Sequence, residues 1–308
     1  MEGKLQIIIF SYNRALQLNT LLGSVKHFLN NPFTEIYVLY NTSDDSFDQG
    51  YERLKMVYGG DVHFIRELPN RFPAYSWGEL TNLYNLKLLY RCPHLRGHRT
   101  DFRRHLLDLF SHRGYTLFLT DDSVLIRPVI LSEEDFEWLR KDPKQRQLSL
   151  RHGLELVDER TVEYKVGRIQ WRFSDYNTGD HWGYRFSLDG HIYGNVVLAK
   201  LLNSASFNNP NTLESSGLLH VCHDNLFREG RCATHISLLS YPINIVQNTF
   251  TNESMDADTA VLNDSFIKGF SLQYPLPKKI VSFQVYPELV RLVRGSETIV
   301  LPTQMSKK

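Results

Sequence analysis

Residues 5–18 read LQIIIFSYNRALQL, and this stretch decides the fold. Ile7, Ile8, Ile9 and Phe10 are consecutive rather than alternating with polar residues, which marks a strand buried on both faces. The run stops at Ser11-Tyr12-Asn13-Arg14. Leu18, Leu21, Leu22, Val25 and Phe28 then fall at the spacing of an amphipathic helix. Working outward, EIYVLYN (35–41) reads as a second strand, QGYERLKMVYG as a helix ending at Gly59 and Gly60, and VHFIRE (62–67) as a third strand. Strand, helix, strand, helix, strand predicts an α/β fold with a parallel sheet covered by helices on both faces.

The alternation then pauses. WGELTNLYNLKLLYRC (77–92) and TDFRRHLLDLFSH (100–112) both read as helices, and YTLFLTDD (115–122) as the fourth strand. Two adjacent aspartates at the end of an apolar strand need a partner, because a buried carboxylate is costly alone. A cation, a turn to cap or a metal would each serve. Open α/β sheets bind ligands beyond the carboxyl ends of their strands. Ser11, Tyr12, Asn41, Glu67, Asp121 and Asp122 all fall there.

The second half is less regular. LSEEDFEWLRKD predicts a helix capped by Ser132, and alternation over 161–188 predicts antiparallel strands. A short helix is expected over 194–203, another capped by Asn211 and containing Glu214, and a last one near 256–268. The tail, LPTQMSKK, is expected to fray. The whole reads as one continuous domain in two lobes, 1–128 and 129–308.

Net charge is +1, so the global balance points to neither nucleic acid nor an acidic partner. No basic groove interleaved with aromatics argues for nucleic acid either. No apolar run approaches a membrane span, and the N-terminus lacks a signal-peptide core. Three cysteines (Cys92, Cys222, Cys232) form a sparse, odd set that suits free thiols in a reducing compartment. The expected location is the cytoplasm, and the sequons at Asn41, Asn252 and Asn263 read as coincidence.

Three blocks together resemble a known family. IIIFSYNRALQL, the strand-end FLTDDSVLIRP and the helix-opening NNPNTLE are similar to glycosyltransferases of the GT-A fold, of the family-2-like type that uses nucleotide-diphosphate sugars. The resemblance spans roughly residues 4–250. It implies a Rossmann-like sheet with a mixed acceptor-side lobe, a UDP- or GDP-sugar donor, and a glycan, lipid-linked or protein acceptor. It also implies transfer to a hydroxyl, hexosyltransferase-like and inverting, assisted by Mn²⁺ or Mg²⁺. On this reading Ser11, Tyr12, Arg14, Asn41 and Asp121 bind the donor, with Tyr12 stacking on the base and Arg14 meeting phosphate. Asp122 and a C-terminal histidine, His235, hold the metal. Trp182 forms a sugar platform, with His191 beside it. Glu214 is the catalytic base, with Asp189, which also contacts the donor sugar or acceptor, the next candidate for that role. The motif departs from the family pattern at Ser123, where a further aspartate is expected.

Blander readings stand beside these. Asp121 and Asp122 could cap a turn, Asp189-Gly190 could be a hairpin turn, and Glu214 could be a first-turn glutamate favoured by the helix dipole. Cys222, His223, Cys232 and His235 match no common zinc spacing. The basic run 94–113 could meet a membrane surface peripherally or be a solvated face. Two other functions remain in view. One is a non-catalytic nucleotide- or glycan-binding protein on a decayed scaffold. The other is a sugar-phosphate nucleotidyltransferase, which needs a glycine-rich loop that SYNRALQL lacks.

Overall fold

The computed structural model describes residues 4–29, 34–68, 75–96, 100–110, 114–156, 162–165, 167–177, 180–246 and 253–307. The first half runs β1 (Leu5–Tyr12), α1 (Ala15–Phe28), β2 (Glu35–Asn41), α2 (Asp45–Tyr58), β3 (Val62–Arg66), α3 (Trp77–Thr81), α4 (Leu83–Arg91), α5 (Phe102–Asp108), β4 (Tyr115–Thr120) and β5 (Ser123–Leu125). The second half continues with α6 (Glu133–Lys141), β6 (Arg146–Ser149), β7 (Glu163–Lys165), β8 (Arg168–Arg172), β9 (His191–Gly194), α7 (Asn195–Ser204), α8 (Pro210–His223) and β10 (Glu229–Ala233). It closes with β11 (Leu238–Ser240), β12 (Glu253–Met255), α9 (Thr259–Ile267), β13 (Ser271–Gln273), β14 (Leu289–Arg294), β15 (Glu297–Pro302) and β16 (Met305–Lys307).

Among the described residues nine strands join in one sheet, ordered β3-β2-β1-β4-β9-β6-β10-β8-β7. β3, β2, β1 and β4 are mutually parallel. β9 then runs antiparallel to both β4 and β6, and the far edge is mixed. This is the α/β class expected from the sequence. Burial on both faces explains why residues 7–10 are all apolar. Ile7 and Ile9 pack into a core with α1, α2 and α9, while Ile8 and Phe10 point into another built from α5, α7 and α8.

Several local expectations change. Residues 77–92 form two helices, because extended Asn82 ends α3 and its side chain accepts the Asn85 N–H at 2.9 Å to start α4. The cap of α8 is Asn209, not Asn211: its Oδ1 accepts the Thr212 N–H at 2.9 Å, with Pro210 at the first helical position. The expected helix over 100–112 is described only as Phe102–Asp108, and residues 111–113 lie outside the described residues. Asp189-Gly190 is not the tip of a hairpin. Gly190, at φ +78°, donates to the Phe118 carbonyl and accepts from Leu150 N–H, both at 2.8 Å, so the turn wedges between β4 and β6 and starts β9. The tail does not fray where described: β16 pairs antiparallel with β12.

Candidate active site

A cleft of about 1180 Å³ opens where β1, β2, β3 and β4 end. Ser11, Tyr12, Asn41, Glu67, Asp121 and Asp122, the six strand-end residues, all line it. The second half supplies the rest of the wall, including Arg151, Tyr184, Asp189, His191 and Glu214.

The partner of the two aspartates is Arg14. After β1, Asn13 takes the left-handed conformation at φ +54°, which asparagine tolerates, and its amide clasps Ser43 through two hydrogen bonds of 2.9 Å. Arg14 then turns inward instead of toward solvent. Its Nη1 lies 2.9 Å from Asp121 Oδ1 and 3.3 Å from Asp122 Oδ2, and its Nη2 donates to the Asn244 carbonyl. Asp121 Oδ2 accepts from Ser11 Oγ at 2.9 Å and from Tyr12 N–H at 3.1 Å. Since the Ser11 proton is spent there, Tyr51 donates to Ser11 Oγ, at 2.6 Å. Burial lifts the Asp121 carboxyl to about 6, against the pull of Arg14, and Asp122 adds to the rise. Arg14, expected to reach phosphate, is thus engaged by carboxylates.

Ser123 has a partner too. Its hydroxyl donates to Asp189 Oδ1 and the Ser240 hydroxyl donates to Asp189 Oδ2, both at 2.5 Å. Arg151 Nη1 stands 3.4 Å from Asp189 Oδ2 and donates to Ser187 Oγ at 3.0 Å, with its guanidinium stacked on Phe283. Glu214, on α8, accepts the Leu188 N–H at 3.2 Å. Burial raises its carboxyl above the ordinary range, partly offset by the Arg151 charge and by hydrogen bonds from Ser187 and Leu188. Glu67 is pushed by burial up to about 7 despite the Thr100 hydroxyl at 3.0 Å.

The cleft histidines are held neutral. His152 bonds the His181 carbonyl through Nε2 at 3.0 Å, so that nitrogen carries the proton, and burial brings its pKa down to about 3. His191, held by Gln147 at 2.7 Å, is likewise driven far below the usual range by burial. Tyr12, 36% exposed, is the accessible aromatic ring at the end of β1.

Two expected site residues lie outside this wall. Trp182 is 4% exposed and packs edge-on against Trp171, with its indole N–H on the Leu156 carbonyl at 3.2 Å. Asp180 caps the short turn 181–183 by accepting the Trp182 N–H, which leaves His181 and Tyr184 on the cleft and folds the tryptophan into the core. It is no platform for a sugar. His235 is exposed, lies 3.3 Å from Glu155, and is not among the cleft residues. Arg151 and His152 escaped the sequence reading. Their signal was KQRQLSLRHG (144–153), a short strand whose carboxyl end meets the cleft like the others.

The divalent ion implied by the resemblance meets a donor set that does not fit it. A hard dication takes about six oxygens, usually with one or two carboxylates from the protein. Asp121 is enclosed by Ser11, Tyr12 and Arg14, Ser123 and Asp189 satisfy each other, and Asp122 shares its edge with a guanidinium. Among the described residues no three His, Cys, Asp or Glu side chains are grouped to hold a metal. Cys222 is exposed on α8 while Cys232 is buried in β10.

No family model matches the chain, and no curated protein does. Among solved structures, S. aureus TarS 1–349 is similar at a TM-score of 0.44 and 13% identity, over 78% of this chain and 61% of that one. A structure of S. aureus TarS gives 0.41 and 12%, over 77% of this chain and 36% of that one. TarS 1–349 in complex with UDP gives 0.42 and 13%, over 86% and 69%. The chain thus spans less than two thirds of the first two structures it is similar to, and the likeness is one of shape alone.

Proposed function

We propose that the chain is a glycosyltransferase that moves a sugar from a nucleotide-diphosphate donor to an acceptor hydroxyl. The observation that carries this is the cleft itself. It joins the ends of four parallel strands to a partly buried carboxylate, Glu214, whose proton affinity is raised. A base works best when its pKa approaches the working pH, and burial moves Glu214 in that direction. Glu214 would take the acceptor proton as the acceptor oxygen attacks the anomeric carbon. The bond from that carbon to the diphosphate breaks, and the electron pair leaves with the nucleotide. Tyr12 offers a ring face for the base, and the Asn41 side chain offers a polar edge. Arg151, fixed by Ser187 and Asp189, holds positive charge near the acceptor side. No step is routed through a metal, because among the described residues no three such side chains are grouped to hold one.

One observation favours a second reading, a non-catalytic nucleotide- or glycan-binding protein. Arg14 and Arg151 are each paired with aspartates, which leaves little uncompensated positive charge for a diphosphate. Hydrolysis of UDP- and GDP-sugars, run in EDTA and in Mn²⁺, separates the two. Slow sugar release by the native chain that falls about 10²–10⁴-fold in Glu214→Gln, with donor affinity unchanged, supports the transferase. Nucleotide binding with no sugar release on any donor supports the binding protein.

A further inference from the structure

Helices α3 and α4 carry apolar side chains that no described residue covers. Trp77 is 81% exposed, Leu83 82% and Tyr90 84%, with Leu80 and Leu86 between them. Within α3, Trp77 and Leu80 are three residues apart, and within α4, Leu83, Leu86 and Tyr90 fall three and seven apart, so each helix presents its exposed apolar residues along one side. The opposite side is already satisfied: Leu88, Leu89 and Leu95 form their own small core, and Tyr84 stacks on His223 of α8 at 3.8 Å. The outward residues therefore do not hold the helices in place.

The charges exposed on this segment itself have one sign, and the acid that Tyr84 feels from a neighbouring element is Asp224, on the side stacked against α8. Between residues 75 and 96 the sole acid is Glu79, which is fully buried and accepts from the Ser206 hydroxyl at 2.8 Å. Lys87, Arg91 and Arg96 are exposed. Tryptophan and tyrosine with leucines, rimmed by lysine and arginine, is the make-up of a surface that sits in a lipid headgroup layer. Among the described residues no helix is long and apolar enough to cross a membrane, so the contact would be peripheral. We propose that the α3–α4 face docks on an anionic bilayer surface, with the aromatic and leucine side chains entering the headgroup region and Lys87, Arg91 and Arg96 meeting lipid phosphates.

Trp77 provides its own probe, because Trp171 and Trp182 are buried and Trp138 is partly so. Vesicles of phosphatidylcholine with about one third phosphatidylglycerol should shift tryptophan emission to the blue and carry the chain upward in a flotation gradient. Pure phosphatidylcholine or high salt should weaken both effects. Trp77→Phe should lose the shift and keep flotation. The triple change Trp77→Ser, Leu83→Ser, Tyr90→Ser should reduce flotation at least tenfold with an unchanged melting temperature, since all three side chains face solvent. Flotation that survives the triple change, or no flotation on anionic vesicles, overturns the proposal. So does a concentration-dependent doubling of mass that the triple change abolishes, which would make this face a contact between two copies.

Discussion

Arg14 costs desolvation energy to bury, and its value lies in what it prevents. Asp121 and Asp122 are adjacent at the end of a buried strand, and without a cation at least one would stay neutral. Arg14→Ala should therefore destabilise the chain by about 3–5 kcal/mol above pH 7, and by clearly less at pH 5. The sign follows from Asp121. Its folded pKa, already near 6, lies above the unfolded value, so it favours the folded state at low pH and loses that stability as pH rises toward 6. Removing Arg14 takes away the interaction that restrains the rise and extends the loss to higher pH. Urea unfolding of both forms at pH 5 and pH 8 measures this directly. An equal loss at the two values would mean that Asp121 does not feel Arg14. The strand-end aspartates and SYNR were visible as isolated features, but the pairing of Arg14 with residues 107 and 108 positions away in sequence is set by the strand order. Trp182 misled for a related reason. An aromatic residue in a polar loop reads as exposed, and only the Asp180 cap shows which neighbour turns inward.

Elements defined by local chemistry were legible, and those defined by distant pairing were not. β1 to β4 announced themselves through apolar runs, and α6 through the Ser132 cap with Asp135 reaching back to complete the box. β6, β9 and β10 are short, mixed in polarity and stable only because each has a neighbour on both sides of the sheet. The capped helix that presents Glu214 lies between these cases. Asn208, Asn209 and Asn211 all stand near its start, and spacing alone suggests Asn211 with Glu214. In the structure Asn209 and Thr212 satisfy each other's backbone groups, so α8 begins one turn before Glu214. Asn209→Ala should cost about 1 kcal/mol, while Asn211→Ala should leave stability within about 0.5 kcal/mol of the native chain. Denaturant midpoints for the two variants settle which asparagine is the cap. Because Asn209 fixes the first turn, its loss should also lower sugar transfer per folded molecule, which Asn211→Ala would match only if Asn211 touches substrate.

At the scale of the whole molecule, residues 1–128 and 129–308 are expected to fold as one unit. The sheet does not stop at residue 128: β4 of the first lobe pairs with β9 of the second, and β5 pairs with β11. The cleft inherits this, since Ser123 and Asp189 reach across the same boundary to hydrogen-bond. The core under β1 takes Leu148, Leu150, Ile192, Ile236, Leu238, Leu239 and Tyr241 from beyond the boundary. Burying one such side chain is worth about 2 kcal/mol, so losing all seven is comparable to the entire net stability of about 5–15 kcal/mol that a typical domain has. A fragment of residues 1–128 would also leave the β4 edge unpaired next to exposed apolar side chains, a template for aggregation. The fragment should show no cooperative unfolding and no near-ultraviolet circular dichroism, whereas the full chain should unfold in a single transition. A fragment that melts cooperatively would make the first lobe a domain in its own right, and the cleft a joint between two bodies instead of a groove in one.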